Sequence, residues 1–308
     1  MKATIEDIRG IATRCGLDAI GATPAWPVPV EPATAARLVN RAPKDLGYLA
    51  ARLQKRLDPG LVLPGVRTVL SAVIGYGSDR PGVEALTPGT GFISRFAWSH
   101  DYHVMIGAWM KDLCGQLKRE YGAVARWYVD TGPVFEKAYA VAAGHGFVGK
   151  NSLLITPRFG SWVFLGTVLT DLDVVAPPSG PTKDGCGKCR DCQDACPTAA
   201  LEQDYVLDSS RCLAHLTVSD RGPPSPELAS RLAGNLYGCD ICQDVCPRNI
   251  KAVKPGRREF APLPGLYMPR LDDVLAMDQK RFLSVFGETP VRRRKLGLLQ
   301  ATARLLKR

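Results

Sequence analysis

Apolar residues recur at helical spacing from the start of the chain: Ile5, Ile8, Ile11 and Ala12 predict an amphipathic helix within residues 1–20. Pro24, Pro27, Pro29 and Pro32 then predict an irregular connection. The β-branched, apolar run Thr68–Ile74 (TVLSAVI), set just before Gly75 and Gly77, predicts a buried strand. A helix is expected over Tyr102–Tyr121, a strand over Trp127–Val129 ending at Asp130, a second helix over Val134–Ala143 and a further strand over Ser161–Leu169. Helix and strand patterns that alternate in this way argue for an α/β layer domain. Turn formers crowd residues 177–185 (PPSGPTKDG), which reads as a linker, and beyond Pro262 the chain reads as helical and basic. Three segments follow: an α/β domain over 1–177, a cysteine-rich domain over 178–260 and a short helical basic tail over 261–308.

The cysteine-rich segment carries the most specific chemistry. Cys186, Cys189, Cys192 and Cys196, followed by Pro197, form a C-x2-C-x2-C-x3-C-P run, and Cys212, Cys239, Cys242 and Cys246, followed by Pro247, form its partner. In the bacterial two-cluster ferredoxin pattern the fourth cysteine of such a run ligates the other cluster. The expected assignment is therefore crossed: one 4Fe-4S cluster on Cys186, Cys189, Cys192 and Cys246, the other on Cys196, Cys212, Cys239 and Cys242, in a ferredoxin-like double-cluster domain. Structural zinc is the alternative, since paired CxxC elements also build tetrahedral sites. Three thiolates at two-residue gaps suit a cubane face better. A disulfide framework fits a small secreted chain, whereas this one has 308 residues and enough apolar sequence for a large core.

Charge and hydropathy add a partner and a compartment. Forty Lys and Arg against 30 Asp and Glu give a formal net charge of +10, which suggests a polyanionic partner and otherwise describes a solvated basic surface. Part of the excess lies in Arg292, Arg293, Arg294 and Lys295, then Arg304, Lys307 and Arg308, a distribution able to grip phosphates without reading sequence. Residues 1–10 (MKATIEDIRG) lack the apolar stretch of a signal peptide, and no apolar run reaches the roughly 18 residues of a membrane span. A cytoplasmic protein with reduced thiols and no membrane partner is expected.

Two further segments invite a functional reading. GHGFVGKN (144–151) nearly fits a phosphate-binding loop, but Asn151 stands where the magnesium-binding hydroxyl belongs and no strand directly precedes Gly144. Asp101, His103 and Gly107 resemble a D-x-H-x-x-G cobalt-ligating signature with its glycine one residue too far along, and otherwise read as a polar helix start. His100, His103, His145 and His215 are open to proton-relay roles or to ordinary hydrogen-bond networks, and Cys15 and Cys114 read as buried, inert thiols.

Taken together, DTGPVFEK (130–137), AGHGFVGKNSLL (143–154), GSWVFLG (160–166) and YGCDICQDVCP (237–247) resemble the epoxyqueuosine reductase family over most of the chain, to about residue 300. The resemblance implies reduction of epoxyqueuosine to queuosine at the wobble position of transfer RNA by cob(I)alamin, with single electrons from an external low-potential donor passing through two 4Fe-4S clusters. It implies an N-terminal α/β cobalamin and substrate domain, an architecture related to reductive dehalogenases, and a tail that is a remnant of the helical repeats of longer relatives. A monomer is expected. Opening the epoxide to an alkene with loss of water takes two electrons and two protons, and Asp130 matches the family's proton donor. As a plain structural residue it would cap the turn Thr131-Gly132-Pro133.

By motif position the resemblance places Arg56, Ser94, Arg95, Asp130, Leu154, Leu165, Cys239 and Asp240 against cobalamin, the leucines through backbone and packing. Leu154 and Leu165 also read as core, and Arg56 as an exposed helix residue. The glycines of GHGFVGKN suit close approach to a bulky flat ligand. Lys137 stands where the family commonly has arginine and is the candidate substrate contact; it keeps the charge but lacks the planar fork. Two rival functions remain: a cobalamin-dependent reductase of a small molecule such as an organohalide, and an electron carrier, which would leave the residues before the clusters without a task.

Overall fold

A computed structural model describes residues 2–30, 47, 51–176, 185–220 and 222–307. Pro32, most of the expected linker (177–184) and Arg308 lie outside the described residues. The chain divides into two compact units: the first comprises Met1–Gly75, His103–Gly149 and Leu153–Gly185, the second Tyr76–Tyr102, Lys150–Ser152 and Cys186–Arg308.

The first unit opens with β1 (Lys2–Thr4) and α1 (Ile5–Arg14), where the Thr4 hydroxyl accepts from the Asp7 N–H and the Asp7 carboxylate from the Thr4 N–H, closing a capping box. Ile5, Ile8, Ile11 and Ala12 form its buried stripe. Next come β2 (Ala19–Pro24), the short α2 (Leu53–Leu57) and β3 (Thr68–Gly75). All eight residues of β3 are buried, which is why the sequence there is continuously apolar rather than alternating. After β4 (Phe92–Ile93), which belongs to the second unit, come α3 (Tyr102–Tyr121), β5 (Ala125–Tyr128), α4 (Glu136–Ala142), β6 (Phe147–Val148), β7 (Leu154–Ile155), β8 (Val163–Thr170) and β9 (Asp173–Val175).

The sheet runs β2-β3-β8-β5, every pairing antiparallel, with β3 and β8 in register from Thr68↔Thr170 to Gly75↔Val163. The unit thus realises the mixed helix-and-sheet class in its α+β form; alternation of elements along a chain does not itself set strand direction. β1 and β9 make a separate parallel pair at the two ends of the unit. Helix α4 packs on β2, β3 and β8. That close approach is the reason for Gly21, where a Cβ would meet the Ala143 carbonyl oxygen at 2.6 Å.

The second unit adds α5 (Asp191–Asp194), β10 (Asn235–Tyr237), α6 (Ile241–Asp244), α7 (Pro247–Ile250), α8 (Leu271–Ala276), α9 (Gln279–Phe286) and α10 (Leu296–Leu306). β10 pairs in parallel with β4. One hydrophobic core joins Phe92, Trp98 and Tyr237 to Phe282, Phe286 and Leu299, so the cysteine-bearing segment and the C-terminal helices share a single interior. The two CQD sequences fold alike: each lies on a four-residue helix, α5 or α6, with its glutamine, Gln193 or Gln243, buried. Among the described residues no helix is long and apolar enough to cross a membrane.

Candidate active site and cluster-binding cysteines

All ten cysteines are free thiols, and Cys246 is the buried one of the eight in the repeated runs. Their electrostatic neighbours reveal which thiols meet. Cys192 is pushed up to about 11, first by burial and then by Cys186, Cys246 and Cys189. Cys239 is raised by burial, with Cys212 and Cys196 adding to it, and Cys242 well raised by burial, with Cys239, Cys212 and Cys192 adding. Cys192 thus lies near Cys186, Cys189 and Cys246, Cys196 near Cys212 and Cys239, and Cys242 near Cys239, Cys212 and Cys192. Thiols that crowd one another and are withdrawn from water fit iron, which displaces their protons and neutralises the resulting thiolates.

Around the second four lies a buried charge network. The Asp240 carboxylate accepts from the Ser94 hydroxyl, from the Arg95 N–H at 2.9 Å and from the Arg95 guanidinium at 3.0 Å, and that guanidinium reaches Asp244 at 2.8 Å. Ser94, Arg95 and Asp240 are exposed by no more than 8%. Burial pushes Asp244 up to about 7 against the pull of Arg95. Three of the residues expected against cobalamin are thus held to one another, fixing the start of α6 and its cysteines. Asp244 was missed in the sequence, since nothing in CQD marks its aspartate as a partner of Arg95.

In the first unit, β5 delivers the chain to Asp130, whose φ of +60° is left-handed and turns the backbone sharply. That turn points the Asp130 N–H at Glu136, whose Oε1 accepts it at 3.2 Å. The Asp130 carboxylate stays 65% exposed, and His103 Nε2 lies 3.5 Å from its Oδ2. Arg56 of α2 donates to the Val134 carbonyl at 2.8 Å and lies over the Phe135 ring, bracing the loop between Asp130 and α4. It is part-buried by that work rather than an exposed helix residue.

Glu136 is pushed up to about 8, chiefly by burial and then by the Asp130 charge, while the Asp130 N–H, Arg56 and His103 pull it down. Lys137 is open to solvent. Surrounding protein nevertheless withdraws enough water to hold its ammonium below the ordinary value, against the attraction of Asp130 and Glu136.

Leu154 is buried in β7, and Leu165 part-buried in β8 opposite Val73. One glycine of the GHGFVGKN segment is explained within the chain itself. At Gly146 a Cβ would stand 2.0 Å from the Ile155 carbonyl oxygen, so its closeness is to β7 of the same chain. Lys150 is buried and pairs with Asp204 at 3.1 Å. In the D-x-H-x-x-G-like segment Asp101 binds Arg293 at 2.6 Å, His103 faces Asp130, and Gly107 is needed because a Cβ would meet Trp127 at 2.9 Å. His145 Nε2 lies 2.7 Å from the Ser71 carbonyl, and burial lowers its pKa. Cys15 and Cys114 are both pushed up to about 12 by burial, as inert thiols are.

Two family models match the chain: "4Fe-4S double cluster binding domain" over residues 185–249 and "Epoxyqueuosine reductase QueG, DUF1730" over residues 56–131. An epoxyqueuosine reductase of Gloeobacter violaceus is 41% identical over 256 residues, covering 81% of this chain and 79% of the relative. One from Leadbetterella byssophila is 34% identical over 309 residues, covering 100% of this chain and 99% of its own. Among solved structures, an epoxyqueuosine reductase crystallised with an epoxyqueuosine-modified tRNA-Tyr stem loop matches with a TM-score of 0.86 and 32% identity, covering 98% of this chain and 80% of that one. The Bacillus subtilis enzyme, in a structure with its aspartate catalytic loop swung out of the active site, matches with a TM-score of 0.84 and 31% identity over the same shares.

Proposed function

The chain belongs to the epoxyqueuosine reductase family, and on that premise we propose that it reduces epoxyqueuosine to queuosine in transfer RNA with Asp130 as the proton donor. The observation that carries the reading is Asp130 itself: a carboxylate presented at the end of a strand by a left-handed backbone, open to solvent, with the charged groups of DTGPVFEK gathered behind it. A related enzyme has an aspartate on its catalytic loop, which supports the same role here.

When bound, two 4Fe-4S clusters supply one-electron transfer from an external low-potential donor, and cobalamin supplies the strong reductant. Cys186, Cys189, Cys192 and Cys246 would hold one cluster, and Cys196, Cys212, Cys239 and Cys242 the other. For cobalamin, the candidates on the first unit are Asp130, whose carboxylate is open to solvent, together with Arg56, Leu154 and Leu165. In the second unit Ser94, Arg95 and Asp240 hold one another beside Cys239 and steady that cysteine's loop. Asp130 donates a proton to the epoxide oxygen as its ring opens, and Lys137 offers the substrate one positive charge without the bidentate fork of arginine. The net charge of +10 suits a transfer-RNA partner. Thiols that must stay reduced suit the cytoplasm, and we place the protein there as a monomer.

Asp130→Asn tests the role. In anaerobic reaction with substrate transfer RNA it should slow conversion by roughly 10² or more while cluster and cobalamin spectra stay those of the wild type. Unchanged conversion removes Asp130 from the mechanism.

A further inference from the structure

Every turnover draws two electrons, one at a time, from a donor outside the chain, so the chain needs a place where that donor can come close to a cluster. On the crossed assignment proposed above, the site of Cys186, Cys189, Cys192 and Cys246 is the one set toward water. Gly187 and Lys188, between Cys186 and Cys189, are exposed, whereas Asp240 and Ile241, between Cys239 and Cys242, are buried and half-buried. Helix α7 leads from that site to the surface. Its Asn249 and Ile250 N–H groups donate to the Cys246 carbonyl at 2.9 and 3.1 Å, and the buried Asn249 donates its side-chain amide to the Gln243 carbonyl at 2.8 Å. Asn249 thus anchors the turn from inside, and Ile250 is left in solvent.

Among the described residues of the second unit, Ile250 at 67% and Val253 at 48% are the two most exposed large apolar side chains. Three residues of chain keep them within about 11 Å of each other. Residues 248–259 set Arg248, Lys251, Lys254, Arg257 and Arg258 against a single acid, Glu259, and Lys254 also reaches Asp79 at 3.2 Å. The exposed charges of the first cysteine run cancel, Lys188 and Arg190 against Asp191 and Asp194, so the positive excess comes from the segment after Cys246. An apolar centre inside a charged rim is the anatomy of a protein interface, whereas gripping phosphates requires no exposed aliphatic side chains. The other exposed apolar run of this unit, Tyr205 to Leu207, sits in a stretch, 202–208, with three acids and no cation. Charge therefore separates the two patches.

We propose that Ile250 and Val253, flanked by Arg248 and Lys251, form the docking surface for an acidic one-electron carrier protein that reduces the cluster held by Cys246. The inference rests on the cluster assignment under the proposed function. Each encounter oxidises the carrier by one electron and reduces the cluster by one, with no bond made or broken, and two encounters supply one epoxide reduction. The cations draw the carrier in, and the aliphatic pair holds it.

The test uses the cluster-loaded full chain and, as probe, an acidic plant-type 2Fe-2S ferredoxin, with association and dissociation rates measured by surface plasmon resonance. The wild type should bind it at low salt. Lys251→Glu should slow association by about tenfold, an effect that fades as salt rises, and Ile250→Ser should speed dissociation by about fivefold or more. Lys118→Glu, the same charge change at an exposed position of α3, should alter neither rate. Reduced methyl viologen, too small to need a docking surface, should reduce the clusters equally in all of these proteins, while reduction by the ferredoxin should be slowed only in Lys251→Glu and Ile250→Ser. No ferredoxin binding by the wild type, or equal losses in Lys251→Glu and Lys118→Glu, would overturn the proposal. Weaker transfer-RNA binding in Ile250→Ser and Lys251→Glu with ferredoxin rates intact would also overturn it and make the patch an RNA surface. Should the viologen-reduced wild type leave epoxyqueuosine unconverted yet show the expected ferredoxin rates, the proposed function falls and the docking surface stands.

Discussion

At Asp130 the backbone takes up a left-handed conformation that costs a non-glycine residue roughly 1–2 kcal/mol, though least for Asn and Asp. Strain of this kind tends to be kept where the position matters, and here it turns the residue's N–H inward to Glu136 while leaving the carboxylate open. Asp130 was legible in the sequence because it ends a strand pattern and opens DTGPVFEK. Glu136 was not, because its raised pKa comes from burial and from one neighbour's charge, neither of which a one-dimensional motif displays. The cysteines lie at the other extreme, since their spacing points directly to iron-sulfur chemistry and suggests a crossing. Cys246→Ala tests that crossing: iron analysis and electron paramagnetic resonance should reveal disturbance of the cluster assigned to Cys186, Cys189 and Cys192, which lie 54–60 residues earlier, with the other cluster retained. Loss confined to the second cluster would assign Cys246 to its own run.

Elements with long, regular patterns were visible before the fold was. The helix over Tyr102–Tyr121 has its predicted ends, and the TVLSAVI run is the buried strand β3. β1 and β9 were not legible, since three residues are too few to establish a period and each is a strand only because the other lies beside it. The basic run 292–295 was misread in one respect. Arg294 is 1% exposed and donates to the carbonyls of Asp220 and Gly222, so it ties the turn between α9 and α10 to the segment after Cys212 rather than facing a phosphate. Arg294→Ala should therefore cost about 2–3 kcal/mol in chemical denaturation, as a buried side chain is lost and two part-buried carbonyls lose a charged donor. Arg292→Ala, at an exposed site with one long bond to Gly287, should stay within about 0.5 kcal/mol of wild type. Equal losses would mean that burial does not distinguish the two arginines.

For the whole molecule, the linear reading of three successive segments becomes two compact units, because residues 76–102 and the C-terminal helices supply the core on which the cluster-bearing loops are built. No composition shift announces that Phe92 and Trp98 will pack with Phe282 and Leu299, so long-range packing of this kind had to come from the structure. The net charge of +10 belongs to this scale too. Binding to transfer RNA should weaken by at least about tenfold between roughly 50 and 200 mM salt, measured by filter binding, as phosphate contacts give up released counterions. Salt-insensitive binding would separate the charge from the partner. The central claim is tested most directly by incubating the reconstituted full chain anaerobically with cobalamin, a strong one-electron reductant and epoxyqueuosine-bearing transfer RNA, and then weighing the released nucleosides by mass spectrometry. Loss of a single oxygen atom from the modified base, dependent on cobalamin, is the predicted result. An unchanged nucleoside mass, with both clusters and cobalamin shown to be loaded, would contradict it and favour a reductase of some smaller substrate.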